Sequence, residues 1–104
     1  MQINVRCTPD ITNPSVASFA VRRVRGATQR LAERLRRVEV DVARETPREG
    51  GRYICRVRGL LGRGGEILVK RDERDPKAAV SAAVERFRRS LVRQIERNER
   101  QAAA

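Results

Sequence analysis

In the middle of the chain, Val38-Glu39-Val40-Asp41-Val42 switches between apolar and polar at every residue. Further on, the apolar residues return instead at every third or fourth position. A period of two is a strand with one wet face, and a period near 3.6 is a helix with one buried stripe. The points where the period changes therefore fix the order of elements. Residues 2–7 also alternate, with Ile3, Val5 and Cys7 on one side and Gln2, Asn4 and Arg6 on the other. A run over about 52–60 sets Tyr53, Cys55 and Val57 against Arg52, Ile54, Arg56 and Arg58, and Glu66 to Arg71 places Ile67 and Val69 inward. Thr46-Pro47-Arg48-Glu49-Gly50-Gly51 and Gly62-Arg63-Gly64-Gly65 separate the last three strands. Turns this short join neighbouring strands as an antiparallel meander.

Helix starts are marked by their chemistry. Asn13-Pro14-Ser15 offers a cap followed by a proline in the first turn. From 15 to 37, Val16, Phe19, Ala20, Val24, Ala27, Leu31 and Leu35 recur at helical spacing and predict one long helix. Gly26 weakens its middle by about 1 kcal/mol relative to Ala. Asp75 caps a second helix with Pro76 at its first position, and Val80, Ala83, Val84, Phe87, Leu91 and Ile95 form its stripe. Residues 101–104 are expected to fray, leaving 1–100 as one domain. The fold class is α+β, in the order β-α-β-β-β-α: a four-stranded sheet with two helices packed on one face.

Composition then removes whole classes of chemistry. The 104 residues contain no His and no Trp, which excludes His-dependent triads, HExxH metal sites and an imidazole base. Cys7 and Cys55 lack CxxC spacing and read as two small buried hydrophobes of a reducing cytosol. The acids, such as Asp72 with Glu73 or Asp10 with Asp41, sit among arginines and read as surface ion pairs, not a catalytic dyad. The stretch Gly59 to Gly65 lacks the phosphate-loop pattern and precedes a strand, so it reads as a hairpin turn. Its literal GxxG, Gly59-Leu60-Leu61-Gly62, puts two leucines where a KH loop would meet phosphates. No cofactor and no metal is expected. Residues 1–6 lack the apolar core of a signal peptide, and no run approaches the roughly 20 apolar residues of a membrane span. A cytoplasmic protein with no membrane partner is the expectation.

What remains is an excess of cations. Lys and Arg total 24 against 13 Asp and Glu, a formal charge of +11, and all but Lys70 and Lys77 are arginine. The predicted first helix carries Arg22, Arg23, Arg25, Arg30, Arg34, Arg36 and Arg37 against Glu33 alone. The second carries Lys77 and six arginines against three acids. Like charges at i,i+3 and i,i+4, as in Arg30/Arg34 and Arg86/Arg89/Arg93, destabilise a helix unless an anion lies on it. Arginine suits bidentate contact with phosphate, so a polyanion, and nucleic acid before membrane, is the partner implied. Single-strand readers stack bases on aromatic platforms, and Tyr53 alone is placed for that, so folded RNA read by backbone shape fits better.

Met1-Gln2-Ile3-Asn4-Val5, the strand-helix-three-strand-helix order, and Asp75-Pro76-Lys77-Ala78-Ala79-Val80 leading into an arginine-rich last helix resemble the ribosome hibernation promoting factor and ribosome-associated translation inhibitor family. The resemblance spans about residues 1–98 and is to the short type. It implies a stress or stationary-phase protein that binds the small ribosomal subunit, and hence the 70S ribosome. There it would lie on rRNA in the mRNA and tRNA channel and block translation by steric exclusion. It further implies a monomer off the ribosome and no enzymatic activity. Carried over residue by residue, the family's basic helix positions fall on Arg23 and on Arg86, Arg89 and Arg93. Gly26 and Gln29 stand where the family usually has basic residues, so Arg22, Arg25, Arg30 and Arg34 would compensate. With Lys77, these nine are the candidate RNA-binding residues.

Two other readings compete. Helix, three strands, helix is also the order of a general double-stranded RNA-binding module, although the strand at Ile3 to Cys7 is extra to it. A small nuclease would need convergent acidic ligands that the sequence does not offer.

Overall fold

The computed structural model describes residues 1–45 and 51–103. The expected turn over 46–51 lies outside the described residues except for Gly51. The first helix starts where its turn chemistry places it: the Asn13 side-chain oxygen accepts the Ser15 N–H at 3.0 Å. The elements are β1 (Gln2–Cys7), α1 (Ser15–Thr28), a short 3-10 turn (Ala32–Arg34), β2 (Leu35–Arg44), β3 (Tyr53–Leu61), β4 (Glu66–Glu73) and α2 (Pro76–Ala103). The strands lie in the order β1-β2-β3-β4. β1 runs parallel to β2, and the β2–β3 and β3–β4 pairs are antiparallel.

The first helix is shorter than its spacing predicts. It ends at Thr28, whose hydroxyl donates to the Val24 carbonyl at 2.7 Å in a fully buried position. The Leu31 N–H then reaches the Thr28 carbonyl at 2.9 Å, and the chain turns into β2 at Leu35. A register shift between Leu35 and Arg37 adds one residue to the strand, so Leu35 and Val38 both face the core while Arg36 and Arg37 both face solvent. Such a bulge separates two inward residues by three positions. Leu31 in the turn and Leu35 at the start of β2, four residues apart, continue the helical spacing of the stripe outside any α-helix. As a correction, Arg30, Arg34, Arg36 and Arg37 are not on the first α-helix: Arg34 ends the 3-10 turn, Arg36 and Arg37 are in β2, and Arg30 and Arg34 are not an i,i+4 pair of one α-helix.

α2 matches its predicted start. The Asp75 carboxylate accepts the Ala78 N–H at 2.9 Å, and the Asp75 carbonyl accepts that of Ala79 at 3.0 Å. The helix continues through Gln101 and Ala102 to Ala103, carried by strong helix formers. Its stripe of Ala79, Val80, Ala83, Val84, Phe87, Leu91 and Ile95 is buried against the inner face of the sheet. Val38, Val40, Val42, Cys55, Val57, Ile67 and Val69 line that face, and Val16, Ala20 and Val24 of α1 complete the core. Burial pushes the Cys55 thiol up to about 12, so it is a packed apolar group.

One glycine sets how closely helix and sheet approach. A Cβ on Gly59 in β3 would lie 2.5 and 2.6 Å from two ring carbons of Phe87. The Phe87 ring rests on bare backbone. In the next turn Gly64 and Gly65 both take φ of +93°, a conformation that L side chains rarely adopt.

Both helices lie on this one sheet face and run side by side in the same direction. Near their starts the Lys77 ammonium lies over the Phe19 ring, 5.8 Å from its centroid. Farther along, Gly26 and Ala27 of α1 share a cleft with Arg88 and Val92 of α2.

Candidate nucleic-acid interface

The helical face is built from the positions that the buried stripes leave over. On α1, Arg22 and Arg25 point away from the sheet. Arg23 follows Phe19 by four residues and precedes Ala27 by four, which places it on the flank toward α2. All three are exposed, and none is ion-paired among the described residues. Arg30, just beyond α1, is exposed and lines the cleft between the helices.

On α2 the position after Phe87 faces α1 and the position before it faces away. Arg88 accordingly lines the interhelical cleft. Arg86 lies on the far flank, and Arg93 and Arg97 follow it at seven and eleven residues on the same line. Arg89 points outward between the two. Glu85 is the one acid between Pro76 and Ile95. Its carboxylate accepts Arg88 at 2.8 Å and Arg89 at 3.3 Å. The Arg88 hydrogen bond outweighs desolvation and holds the Glu85 carboxyl below its usual range, and the same contact raises Arg88. One carboxylate therefore holds two guanidinium groups in place on an otherwise cationic helix.

The nine candidates do not all meet. Arg23, Arg30 and Lys77 gather along the line between the helices, Arg22, Arg25 and Arg89 crown them, and Arg86 and Arg93 occupy the outer flank of α2. Arg34 is elsewhere: the 3-10 turn carries it to the end of α2, where it bonds Glu99 at 2.9 Å with both partners about half exposed. Sequence reasoning left out Arg88 and Arg97. Arg88 sits one position after the core stripe, but which flank of α2 faces α1 becomes visible only once the helices are packed.

The opposite sheet face has a different character. Arg58 bonds Glu66 at 2.7 Å and lies 3.8 Å from Glu39, Arg37 is 3.4 Å from Glu39, and Arg52 bonds Asp72 at 2.7 Å. Asp41 stands in register between Arg6 and Arg56. The Arg52 hydrogen bond lowers the Asp72 pKa, as expected of an acid set among arginines. Tyr53, the one aromatic that the sequence offers for stacking, is not on this face: it is half-buried against the core on the helical side, with the Arg44 guanidinium 6.0 Å from its ring centroid. Among the described residues, no three His, Cys, Asp or Glu side chains converge as metal ligands, and no helix is long and apolar enough to cross a membrane.

No family model and no curated protein matches the chain. Solved structures do. A ribosomal subunit interface protein from Coxiella burnetii superposes with a TM-score of 0.74 at 11% identity, over 92% of this chain and 99% of that one. The N-terminal domain of Thermus thermophilus Protein Y superposes with a TM-score of 0.69 at 15% identity, over 89% of this chain and 98% of that one. At these identities the likeness is one of fold alone: the β-α-β-β-β-α chain has the fold of a ribosomal subunit interface protein and of a Protein Y N-terminal domain.

Proposed function

We propose that the protein is a ribosome hibernation factor. It binds rRNA of the small ribosomal subunit through its helical face, occupies the mRNA and tRNA channel, and blocks translation by steric exclusion under stress or in stationary phase. It acts by occupancy, without chemistry of its own, as a cytoplasmic monomer that docks on the small subunit and the 70S ribosome. The observation that carries this reading is the one-sided charge. Arginines cover the two helices, and Arg22, Arg23, Arg25, Arg86 and Arg93 have no acid partner among the described residues, on a fold shared with a protein of the ribosomal subunit interface. Arg22, Arg23, Arg25, Arg30, Lys77, Arg86, Arg89 and Arg93 contact phosphates, joined by Arg88. Arg34, tied to Glu99, contributes less.

The test is co-sedimentation with purified ribosomes at physiological salt, with excess duplex RNA as competitor. Binding to the small subunit or the 70S particle that survives the competitor, together with inhibited translation in vitro, is the expected result. Loss to the competitor favours the general double-stranded RNA-binding module, whose helix-three-strand-helix order recurs in α1 to α2. The parallel pairing of β1 with β2 is extra to that module and weighs against it.

A further inference from the structure

The cleft between the helices differs from the cationic surface around it. It has a volume of about 310 Å³, at the lower end for ligand pockets. Its floor is apolar: Ala27, Leu31 and Val92 are half-buried, and the first two pack against the core. Its rim is polar, formed by Gln29, Arg30 and Arg88. Gly26 opens one wall, where an added Cβ would meet nothing within 4 Å. A surface that reads only backbone phosphates has no use for an apolar recess, whereas a nucleobase presents an apolar face, a hydrogen-bonding edge and a charged tether together.

We infer that this cleft receives one unstacked nucleotide of the bound RNA. The base lies on Ala27, Leu31 and Val92, Gln29 meets its hydrogen-bonding edge, and Arg30 and Arg88 hold the flanking phosphates. Unpaired nucleotides in bulges and loops are where proteins read RNA bases, and guanidinium planes can stack on them. Glu85 supports the arrangement by fixing Arg88 at the rim through its 2.8 Å bond. The inference rests on the proposal that the helical face binds RNA and adds a single-nucleotide preference to it.

Three RNA hairpins test it, identical except that one has a single-nucleotide bulge, one the same bulge without its base, and one no bulge. Wild-type protein is expected to bind the bulged hairpin about fivefold or more tightly than the other two in fluorescence anisotropy. Gly26→Leu fills the cleft from an open helical position and raises helix propensity, so its melting temperature should hold or rise. It should lose the preference for the bulge while keeping wild-type affinity for the unbulged hairpin. Equal wild-type affinity for all three hairpins, or a preference that survives in Gly26→Leu, overturns the nucleotide site and leaves the ribosome reading intact. Failure to bind any hairpin or the ribosome overturns both. Tight ribosome binding by Gly26→Leu with loss of the bulge preference separates the two in favour of both.

Discussion

The two faces of this sheet draw on the same residue types and use them in opposite ways. On the open face, arginines stand beside acids: Arg58 between Glu39 and Glu66, Arg52 on Asp72, and Asp41 between Arg6 and Arg56. Cross-strand register sets Glu39 opposite Arg58 and Asp41 opposite Arg6 and Arg56, and opposite charges directly across a strand pair stabilise it modestly; Arg58–Glu66 and Arg52–Asp72 are diagonal reaches. On the helical face Arg22, Arg23, Arg25, Arg86 and Arg93 have no acid against them among the described residues. A net charge of +11 is thus largely cancelled on one side and left standing on the other. Composition reports the excess, and only the fold says where it lies.

Reversing charge on each face in turn is the sharpest way to break that contrast. Arg86→Glu, Arg89→Glu and Arg93→Glu together should weaken ribosome binding by roughly a hundredfold or more, because each replaces a phosphate contact with repulsion. Arg56→Glu, Arg58→Glu and Lys70→Glu on the open face should leave affinity within about threefold, as far as long-range attraction alone changes. Sedimentation titrations compare the two triple variants. Equal losses would mean that total charge decides and the face does not.

A second prediction concerns the joint between the faces. Gly59→Ala drives a methyl group to about 2.5 Å from the Phe87 ring, lifting α2 from β3. It should destabilise the fold by about 2 kcal/mol, measured by urea unfolding, as overpacking of a close-packed core does. Salt then tests how many helical arginines work at once. With about six to eight of these cations on phosphates at once, log K should fall against log salt with a slope of roughly 0.7 to 0.9 per contact. The triple variant at Arg86, Arg89 and Arg93 should have a visibly shallower slope than wild type.

The smallest effects come from the acids. Glu85→Gln removes the charge between Arg88 and Arg89, and a net affinity change of about twofold or less is expected from an exposed pair. The Arg52 contact lowers the Asp72 pKa in the folded chain, so its stabilising contribution is present above the usual carboxylate range and lost as pH falls through the depressed folded value. Melting temperature should therefore decline on acidification, and Asp72→Asn should reduce the decline slightly.

How much of this could be read from the chain depends on which residues one asks about. Val38 to Val42 and the Asp75-Pro76 start are local signals, and both elements stand where local chemistry puts them. The end of α1 was not legible because Leu31 in the turn and Leu35 at the start of β2 continue the stripe at helical spacing, and a buried Thr28 that bonds back to Val24 does not announce a stop. That error moved Arg30 and Arg34 onto a helix they do not belong to. Arg88 was passed over for a different reason. Its neighbours along the chain say that it is outside the core, but they do not say that α1 lies against it.

The common direction of α1 and α2 has a consequence of its own. Helices that pack head to tail oppose their macrodipoles, whereas these two add them, each with about half a positive charge at its start and half a negative charge at its end. The Asp75 carboxylate caps the start of α2 and offsets its positive end, so the dipole is least compensated at the start of α1, whose first turn holds no acid. The cationic surface has polarity as well as charge, so a polyanion laid along it in one direction is not equivalent to the same strand reversed.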